Sequence, residues 1–340
     1  MEKKVSIKDI AKLLGISIST VSFVVNGKAK EKRISEPLTK KVLELVEELG
    51  YKPDALAKSF RTGKTNIIGF LVDDISEPFF SGIARFIDEK ASQNGYKIIY
   101  SSTRNSKTKA QELLQIFQDR HVDGYIIALP NGLEDEVKSL TMSKKPVVLF
   151  DRYFPDIKAD YVIINNHQGT FNAVKHLKEK GYRNIGFITI DTIEQQMLDR
   201  LSGYEDAVKS EGLKSYVKKL TYGPSSELIQ DVIDFLKKEK GLDAVLCATN
   251  YITMAGLRAI QQLGLKIPDD IALLSFDDFE LLEFSAPPIT AVAQPLEEIA
   301  ENIMNILLKR LETSKGDDEQ QFEVVLPTVL NVRNSTVVKL

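Results

Sequence analysis

Apolar runs of strand length alternate with helical stretches along most of this 340-residue chain. The predicted strands are residues 67–72, 97–100, 124–128, 146–150, 161–164, 185–190, 244–247, 271–276 and 322–330. Helical patterns lie between them, at about 79–93, 108–120, 133–142, 168–180, 199–211, 226–239, 252–263 and 295–313. Such alternation predicts an α/β core of doubly wound, mostly parallel sheets. The core is long enough for two of these sheets side by side.

The composition is that of an ordinary globular protein, with 43% hydrophobic and 27% charged residues. A single cysteine, Cys247, excludes an internal disulfide and fits a reducing compartment. Lysines, and no apolar segment, stand near the start of the chain, so we expect no signal peptide. The apolar runs are too short to cross a bilayer. These features predict a cytoplasmic protein without membrane contact.

Residues 6–26, SIKDIAKLLGISISTVSFVVN, have the pattern of a helix-turn-helix DNA reader. Ser6 and Asp9 predict the start of a helix over about 6–14, and Gly15 allows a sharp exit. Ser17 is expected to cap a second helix over about 18–26. A third amphipathic helix is predicted over about 36–49, which completes a small three-helix domain.

The second helix is the one expected to enter the major groove. Its valines at 21, 24 and 25 are predicted to face inward, which leaves hydroxyl, amide and large apolar side chains facing outward. Hydroxyls and amides can bond phosphates or base edges, and apolar groups can pack on thymine methyls. The alternative is a small helical domain with some exposed apolar residues. The candidate DNA contacts here are Ser17, Ile18, Ser19, Thr20, Ser22, Phe23 and Asn26.

The net charge is distributed unevenly along the chain. Residues 1–62 hold 13 Lys and Arg against 8 Asp and Glu, a net +5, although the whole chain carries −3. Residues 51–65 then form a short segment with an apolar ridge at Leu56 and Phe60. Two helical turns are barely stable alone, so this segment could fold on DNA and wedge into the minor groove. A simple linker is the alternative.

Longer segments of the chain together resemble the lactose-repressor (LacI/GalR) family of bacterial regulators. The resemblance is carried by VSIKDIAKLLGISISTVSFVVNG, by LVDDISEPFF, by LDRLSGYEDAV, by IPDDIALLSFDD and by LPTVLNVRNST, in family order along essentially the whole chain. It implies a homodimer on a near-palindromic double-stranded operator. It also implies a hinge helix over 53–61, with Leu56 in the minor groove and Ala57 against its symmetry mate.

The resemblance also implies a domain organisation. Residues 1–62 would be the DNA-binding domain with its hinge, and 63–340 the effector-binding and dimerisation core. This core would resemble a periplasmic binding protein with a small-molecule effector between two lobes. The lobes would comprise about 63–162 plus 293–323, and about 163–292 plus 324–340.

Several side chains at predicted strand ends or helix starts are candidate effector contacts. Phe79 and Phe80 resemble the family's stacking aromatics, and Asp151 and Arg152 follow a predicted strand. A further three match effector-binding positions of the family, namely Arg200, Asp277 and, with a departure from the pattern, Asn250. A guanidinium fork, a carboxylate and aromatic faces suit a sugar or sugar derivative.

Departures from the family pattern affect specificity. Phe23 stands where the family usually has Arg, and residues 28–33 lengthen the following loop, so no known half-site can be transferred. We expect Phe23 to contact a thymine methyl. Thr249-Asn250 replaces the usual Asn-Asp, and Glu77 replaces a common Asn, which adds negative charge near the cleft.

The predicted function is a dimeric repressor of a carbohydrate-utilisation operon, with induction and corepression both open. We expect no cofactor, no metal and no catalytic residue. The three histidines lack metal-ligand spacing, and no phosphate-binding glycine motif follows a strand. A periplasmic-type sugar carrier and a doubly wound sugar-modifying enzyme are the alternatives.

Overall fold

The computed structural model describes residues 5–51, 63–128, 130, 132–312 and 320–337. Contacts divide the chain into two units, residues 1–65 and 66–340. Leu56 and Ala57, and the rest of the predicted hinge, lie outside the described residues.

The first unit is built from three helices, α1 (Ile7–Leu14), α2 (Ile18–Val25) and α3 (Glu36–Glu48). The predicted caps are confirmed. The Ser6 hydroxyl accepts from the Asp9 backbone N–H, and the Asp9 carboxylate accepts from the Ser6 N–H, which completes a capping box. The Ser17 hydroxyl accepts from the Thr20 N–H at 3.0 Å.

Apolar side chains from each helix fill the small core of this unit. Ile10, Val21 and Val42 are fully buried, and Val24 is nearly so. Val25, which was also predicted to face inward, is half-buried. These apolar side chains therefore hold the three helices together as a minimal bundle, and one face of α2 stays exposed to solvent.

The second unit alternates strands and helices, as predicted. Its strands are β1 (Ile67–Val72), β2 (Lys97–Ser102), β3 (Gly124–Ile127), β4 (Val147–Phe150), β5 (Asp160–Ile164), β6 (Ile185–Ile190), β7 (Tyr216–Leu220), β8 (Ala244–Cys247), β9 (Ala272–Phe276), β10 (Thr290–Ala293), β11 (Glu323–Leu326) and β12 (Val329–Asn331). Its helices are α4 (Pro78–Gln93), α5 (Lys107–Asp119), α6 (Glu134–Met142), α7 (Asn166–Glu179), α8 (Gln195–Ser210), α9 (Ser225–Lys238), α10 (Asn250–Gln262), α11 (Glu280–Phe284) and α12 (Leu296–Glu312), followed by a 3₁₀ turn at Asn334–Thr336.

The strands form two sheets with equivalent orders, β11-β5-β4-β3-β1-β2 and β12-β10-β9-β8-β6-β7. Every pairing is parallel except that between β10 and β12. Strands β1, β3, β4, β6, β8 and β9 are almost completely buried, because helices cover both faces of such sheets. The predicted fold class is confirmed.

The chain passes between the two sheets three times, after β5, after β10 and after β11. The single strand predicted over 322–330 was wrong, because this segment is two strands, one in each sheet. Pro327 separates them, since proline has no N–H to continue a ladder. The last passage thus follows Leu326, three residues beyond the predicted lobe boundary.

Candidate functional site

A cavity of about 120 Å³ lies where the carboxyl ends of the parallel strands of both sheets meet. Side chains that follow β1, β4, β6, β8 and β9 line it. Such strand ends are where doubly wound sheets bind ligands. All seven side chains predicted to contact the effector line this cavity: Phe79, Phe80, Asp151, Arg152, Arg200, Asn250 and Asp277.

Arg152 is at the centre of an ionic network that joins the two lobes, the first built on the sheet of β1–β5 and β11 and the second on the sheet of β6–β10 and β12. Its Nη1 donates to Glu194 Oε1 at 2.7 Å, across the cavity. Its Nη2 donates to Asp73 Oδ2 at 2.6 Å and to Asp151 Oδ2 at 3.2 Å. The side chain is only 7% exposed, so these carboxylates supply the compensation that a buried charge requires.

Burial dominates the electrostatics of this network. It raises the pKa of Asp73 and of Glu194, and the charge of Arg152 opposes that rise. Burial would lower the pKa of Arg152, but the three carboxylates outweigh it and raise the pKa above its usual range. The guanidinium therefore stays charged and links the lobes through Glu194.

Arg200 reaches the cavity from α8 and is held from three sides. Its Nε donates to Asn166 Oδ1 at 2.8 Å, and its Nη1 donates to the Ala248 carbonyl at 2.7 Å. Its guanidinium carbon lies 3.8 Å from the centre of the Phe276 ring. Among the described residues, none accepts a hydrogen bond from its Nη2. That N–H pair is available to a ligand.

Asp277 and Asn250 form a second polar cluster. Asp277 has a left-handed φ of +78° and accepts from the Gln294 amide at 2.6 Å and from the Asn250 backbone N–H at 3.2 Å. The Asn250 Nδ2 donates to Glu77 Oε2 at 2.7 Å. Because Glu77 immediately precedes α4 in the first lobe and Asn250 begins α10 in the second, this bond also joins the lobes.

The aromatic lining comes from both lobes. Phe79 and Phe80 meet edge to face with 5.0 Å between ring centres, and Phe80 packs on Phe150. Tyr222 and Tyr251 meet edge to face at 5.8 Å on the other side. Such faces suit the C–H surfaces of a ring-shaped polar ligand.

Sequence reasoning missed several lining residues. Asp73 follows β1 directly, just as Asp151 follows β4, and the same rule would have found it. Glu194 and Gln196 stand four or more residues beyond the end of β6. The rule that ligand contacts directly follow strands therefore does not predict them. Tyr222 follows β7, a strand that the sequence analysis did not predict.

The outward face of α2 is the candidate DNA surface of the first unit. Ile18 is 45% exposed, and Ser19 beside it is exposed. The Ser17 hydroxyl lies 2.8 Å from those of both Ser19 and Thr20, so a hydroxyl cluster marks the start of the helix.

The later part of this surface is more enclosed than the sequence predicts. Phe23 is half-buried, with the Lys32 ammonium 5.6 Å from its ring centre. Asn26 is exposed, and its Nδ2 donates to the Ser22 carbonyl at 2.6 Å. The loop that follows α2 therefore covers part of the Phe23 ring.

The described part of the chain has neither a cluster of metal-ligating side chains nor a helix that could span a membrane. Its His, Cys, Asp and Glu side chains form no group of three or more that could hold a metal ion. None of its helices has the length and apolarity of a membrane span. Cys247 is buried, and burial raises the pKa of its thiol to about 12, so it is poorly suited to nucleophilic chemistry.

Family models match two parts of the chain. Residues 6–54 match the model of bacterial regulatory proteins of the lacI family, and residues 174–336 match a periplasmic binding protein-like domain. The first match covers the helix-turn-helix unit, and the second covers most of the second lobe together with α12 and β11 of the first.

Curated relatives align along nearly the full length. The ribose operon repressor of Haemophilus influenzae is 30% identical over 340 residues, with 97% of this chain and 98% of the relative covered. Catabolite control protein A of Priestia megaterium is 32% identical over 337 residues, with 98% and 99% covered.

Solved structures share the fold. The complex of the regulator CelR with cellobiose has a TM-score of 0.70 at 26% identity and covers 97% of this chain and 99% of its own. The lac repressor dimer bound to operator and an anti-inducer has a TM-score of 0.85 at 22% identity, with 98% and 100% covered.

Proposed function

Because the chain belongs to the lacI family of bacterial regulatory proteins, we propose that it is a dimeric repressor whose affinity for operator DNA is set by a sugar or sugar derivative bound in the cavity. The operator would control carbohydrate utilisation, and the protein would act in the cytoplasm. Residues 1–62 would bind DNA, and residues 63–340 would bind the effector and the second subunit.

The observation that carries this proposal is the convergence of seven side chains on one cavity. They come from segments as far apart in sequence as Phe79 and Asp277, and the equivalent strand orders bring them together. A cavity lined by aromatic faces and a few aimed polar groups is typical of small-molecule sites.

The lining chemistry supports a polyhydroxylated ligand. Arg200 offers its Nη2 donors, and carboxylates such as Asp277 can accept from hydroxyls. Phe79 and Tyr222 offer faces for the apolar side of a sugar ring. The relatives include a ribose operon repressor, and CelR was solved with cellobiose, both of which favour a carbohydrate ligand.

The lobe-bridging contacts suggest how occupancy is transmitted. The bonds of Arg152 to Glu194 and of Asn250 to Glu77 join the lobes across the cavity. A ligand that strengthens or replaces these bonds would favour one lobe arrangement over another. Through dimer contacts, that shift would change the spacing of the hinge segments at 53–61, and so the insertion of Leu56 and the packing of Ala57 against its mate. Linkage then couples ligand and operator affinities reciprocally.

DNA contact would come from α2 and its cap. The hydroxyls of Ser17, Ser19 and Thr20 would bond phosphates, and Ile18 would pack on bases. Ser22, Phe23 and Asn26 would complete the surface.

The test combines operator selection with ligand screening. The full chain is used to select duplexes from a random pool, and fluorescence anisotropy then measures the affinity at several salt concentrations. We expect a near-palindromic site, a steep salt dependence and a change of affinity with at least one sugar. A matched duplex with one half-site scrambled is the control.

Two results would refute the proposal. Lack of preference for any duplex would exclude a DNA regulator and favour a sugar carrier. Operator binding that no sugar changes, in the presence of a ligand of another class that does, would exclude the carbohydrate effector alone.

A further inference from the structure

The cavity carries more negative than positive charge. Six carboxylates line it, whereas its positively charged groups are the guanidiniums of Arg152 and Arg200. The described lining residues include no lysine and no histidine. The carboxylates are Asp73, Asp74, Glu77, Asp151, Glu194 and Asp277. A phosphorylated or acidic sugar would therefore meet like charge on most sides.

Half of the positive charge, that of Arg152, is already paired with carboxylates of the protein. Arg152 bonds three carboxylates, so a ligand must compete with Asp73, Asp151 and Glu194 for its donors. Arg200 donates to two neutral oxygens, Asn166 Oδ1 and the Ala248 carbonyl, and has no ion pair among the described residues, so its charge is the one that a ligand would meet. A single unpaired guanidinium does not compensate an anionic ligand in a cavity lined by six carboxylates.

Glu77 is the least compensated of these carboxylates. Its hydrogen-bond donor in the described chain is the neutral Asn250 amide. Burial raises the pKa of Glu77, the Asn250 bond opposes that rise, and the charges of Asp74 and Asp277 add to it. None of these influences is a cation. A positive charge placed beside Glu77 would relieve repulsion among three carboxylates.

One buried amide beside the cavity also has an acceptor without a donor among the described residues. Gln196 lines the cavity and is 6% exposed, and its Oε1 has no hydrogen-bond partner in the described chain. Its Nε2 donates to Glu194 Oε2 at 3.2 Å, which fixes the amide orientation, because a flipped amide would set two acceptors together. A buried acceptor without a donor is costly, so a ligand hydroxyl that reaches this oxygen would stabilise the site.

Aromatic rings stand beside the carboxylates. Phe79 is two residues from Glu77 and lines the same cavity. Tyr222 lines the same cavity; burial raises its pKa, the charges of Glu77, Asp73 and Asp74 raise it further, and the charge of Arg104 opposes them. An aromatic face next to a carboxylate is a favourable environment for an organic cation.

We propose that the ligand of this cavity is an amino sugar, a polyol with a protonated amine, and that Glu77 binds its ammonium group with Asp74 and the Tyr222 ring nearby. The inference rests on the proposed function, which makes this cavity the effector site. It goes further by assigning the charge of the ligand. The hydroxyls would donate to Gln196 and to the remaining carboxylates.

The test compares sugars that differ at a single substituent. Isothermal titration calorimetry on the full chain measures D-glucosamine against D-glucose, N-acetyl-D-glucosamine and D-glucosamine 6-phosphate, with the galactose and mannose series in parallel. We expect one amine to bind at least about tenfold more tightly than its hydroxyl and acetylated counterparts.

Glu77→Gln tests the assigned residue. Glutamine keeps the acceptor for Asn250 and removes only the charge, so the preference for the amine should fall by at least about tenfold while the affinity for the neutral sugar changes little. Glu112→Gln, the same change at an exposed position on α5, is the matched control and should leave both affinities as they are. Melting curves of both variants report whether the fold is retained.

Each outcome decides the proposal. Tightest binding by a neutral or phosphorylated sugar, or an amine preference that survives Glu77→Gln, would overturn it. Failure of every amine to bind would also overturn it. The operator experiment is separate, so a neutral sugar that changes operator affinity would refute the amine and leave the proposed function standing.

Discussion

Replacing Arg152 with methionine would show how far the carboxylate network depends on one charge. The guanidinium contacts Asp73 at 2.6 Å, Glu194 at 2.7 Å and Asp151 at 3.2 Å. Methionine keeps much of the apolar volume but removes the charge. The three carboxylates would then face one another in a largely buried site.

The size of the expected loss in the free energy of unfolding follows from the burial of these charges. Removing one partner of a buried ion pair costs about 3–5 kcal/mol. The Asp73 side chain is 21% exposed, so water solvates it in part. We therefore expect the lower end, a loss of about 3 kcal/mol in the free energy of unfolding near neutral pH.

The loss should depend on pH with a definite sign. Burial already raises the pKa of Asp73 and Glu194, so the stability they contribute is present at low pH and is lost as pH rises through the folded pKa. Without Arg152 these pKa values rise further. The variant should therefore be most destabilised near neutral pH and recover as pH falls toward the ordinary carboxyl range.

The assay is denaturant unfolding followed by circular dichroism at near-neutral and mildly acidic pH. Protein concentration is held constant, since dimerisation adds to stability by mass action. Arg120→Met, the same change at an exposed position, is the control. An equal loss at both pH values, or a loss below about 1 kcal/mol, would refute the reasoning.

Three further predictions concern other parts of the molecule. Phe23→Ala should change discrimination at one operator position in a selection experiment, by about 1–3 kcal/mol, and unchanged discrimination would remove Phe23 from the readout. Gly203→Ala should cost about 3 kcal/mol in unfolding assays, because its Cβ would lie 2.2 Å from the His167 carbonyl oxygen; Gly241→Ala, with open space around it, should cost far less. Cys247 should stay unmodified by a thiol reagent until the protein unfolds, and rapid labelling of the folded state would contradict its burial.

Strong periodic patterns and caps were predictable from the sequence. The apolar runs of β1, β6 and β9 are buried on both faces, so their composition alone marks them as strands. The predicted cap at Ser17 is confirmed because its hydroxyl has a defined backbone donor three residues on. These signals are local, and no distant contact alters them.

Two strands of the second sheet, β7 at its edge and β10 inside it, were not predictable in the same way. Strand β7, Tyr216–Leu220, is half-exposed and contains Lys218 and Lys219, so it lacks an apolar run. Strand β10 is the four residues TAVA, with one large aliphatic side chain, so it too lacks an apolar run. Their pairing with buried neighbours decides their conformation, which is tertiary context that propensity does not contain.

The cavity was partly predictable for a geometric reason. Strand ends bring Asp151 and Asp277 together, whereas Glu194 and Gln196 depend on the path of the loop after β6. The ligand contacts themselves remain predictions. The missed residues include Glu194, the carboxylate whose bond to Arg152 links the lobes. Sequence reasoning therefore identified the cavity better than the ion pair that crosses it.

The equivalent sheet orders explain why both lobes place an aspartate in the cavity lining. Strands β4 and β9 occupy matching positions in the two sheets, and each ends at a Phe that an Asp follows. Both aspartates have a left-handed backbone conformation, with φ +66° at Asp151 and +78° at Asp277. Aspartate tolerates this region better than most residues, so each carboxylate turns out of its strand into the cavity lining. The matching aspartates meet different partners, since Asp151 bonds Arg152 whereas Asp277 accepts from an amide and a backbone N–H. The repeated architecture therefore accounts for the position of the cavity, and the unequal partners of the two aspartates account for its asymmetric charge.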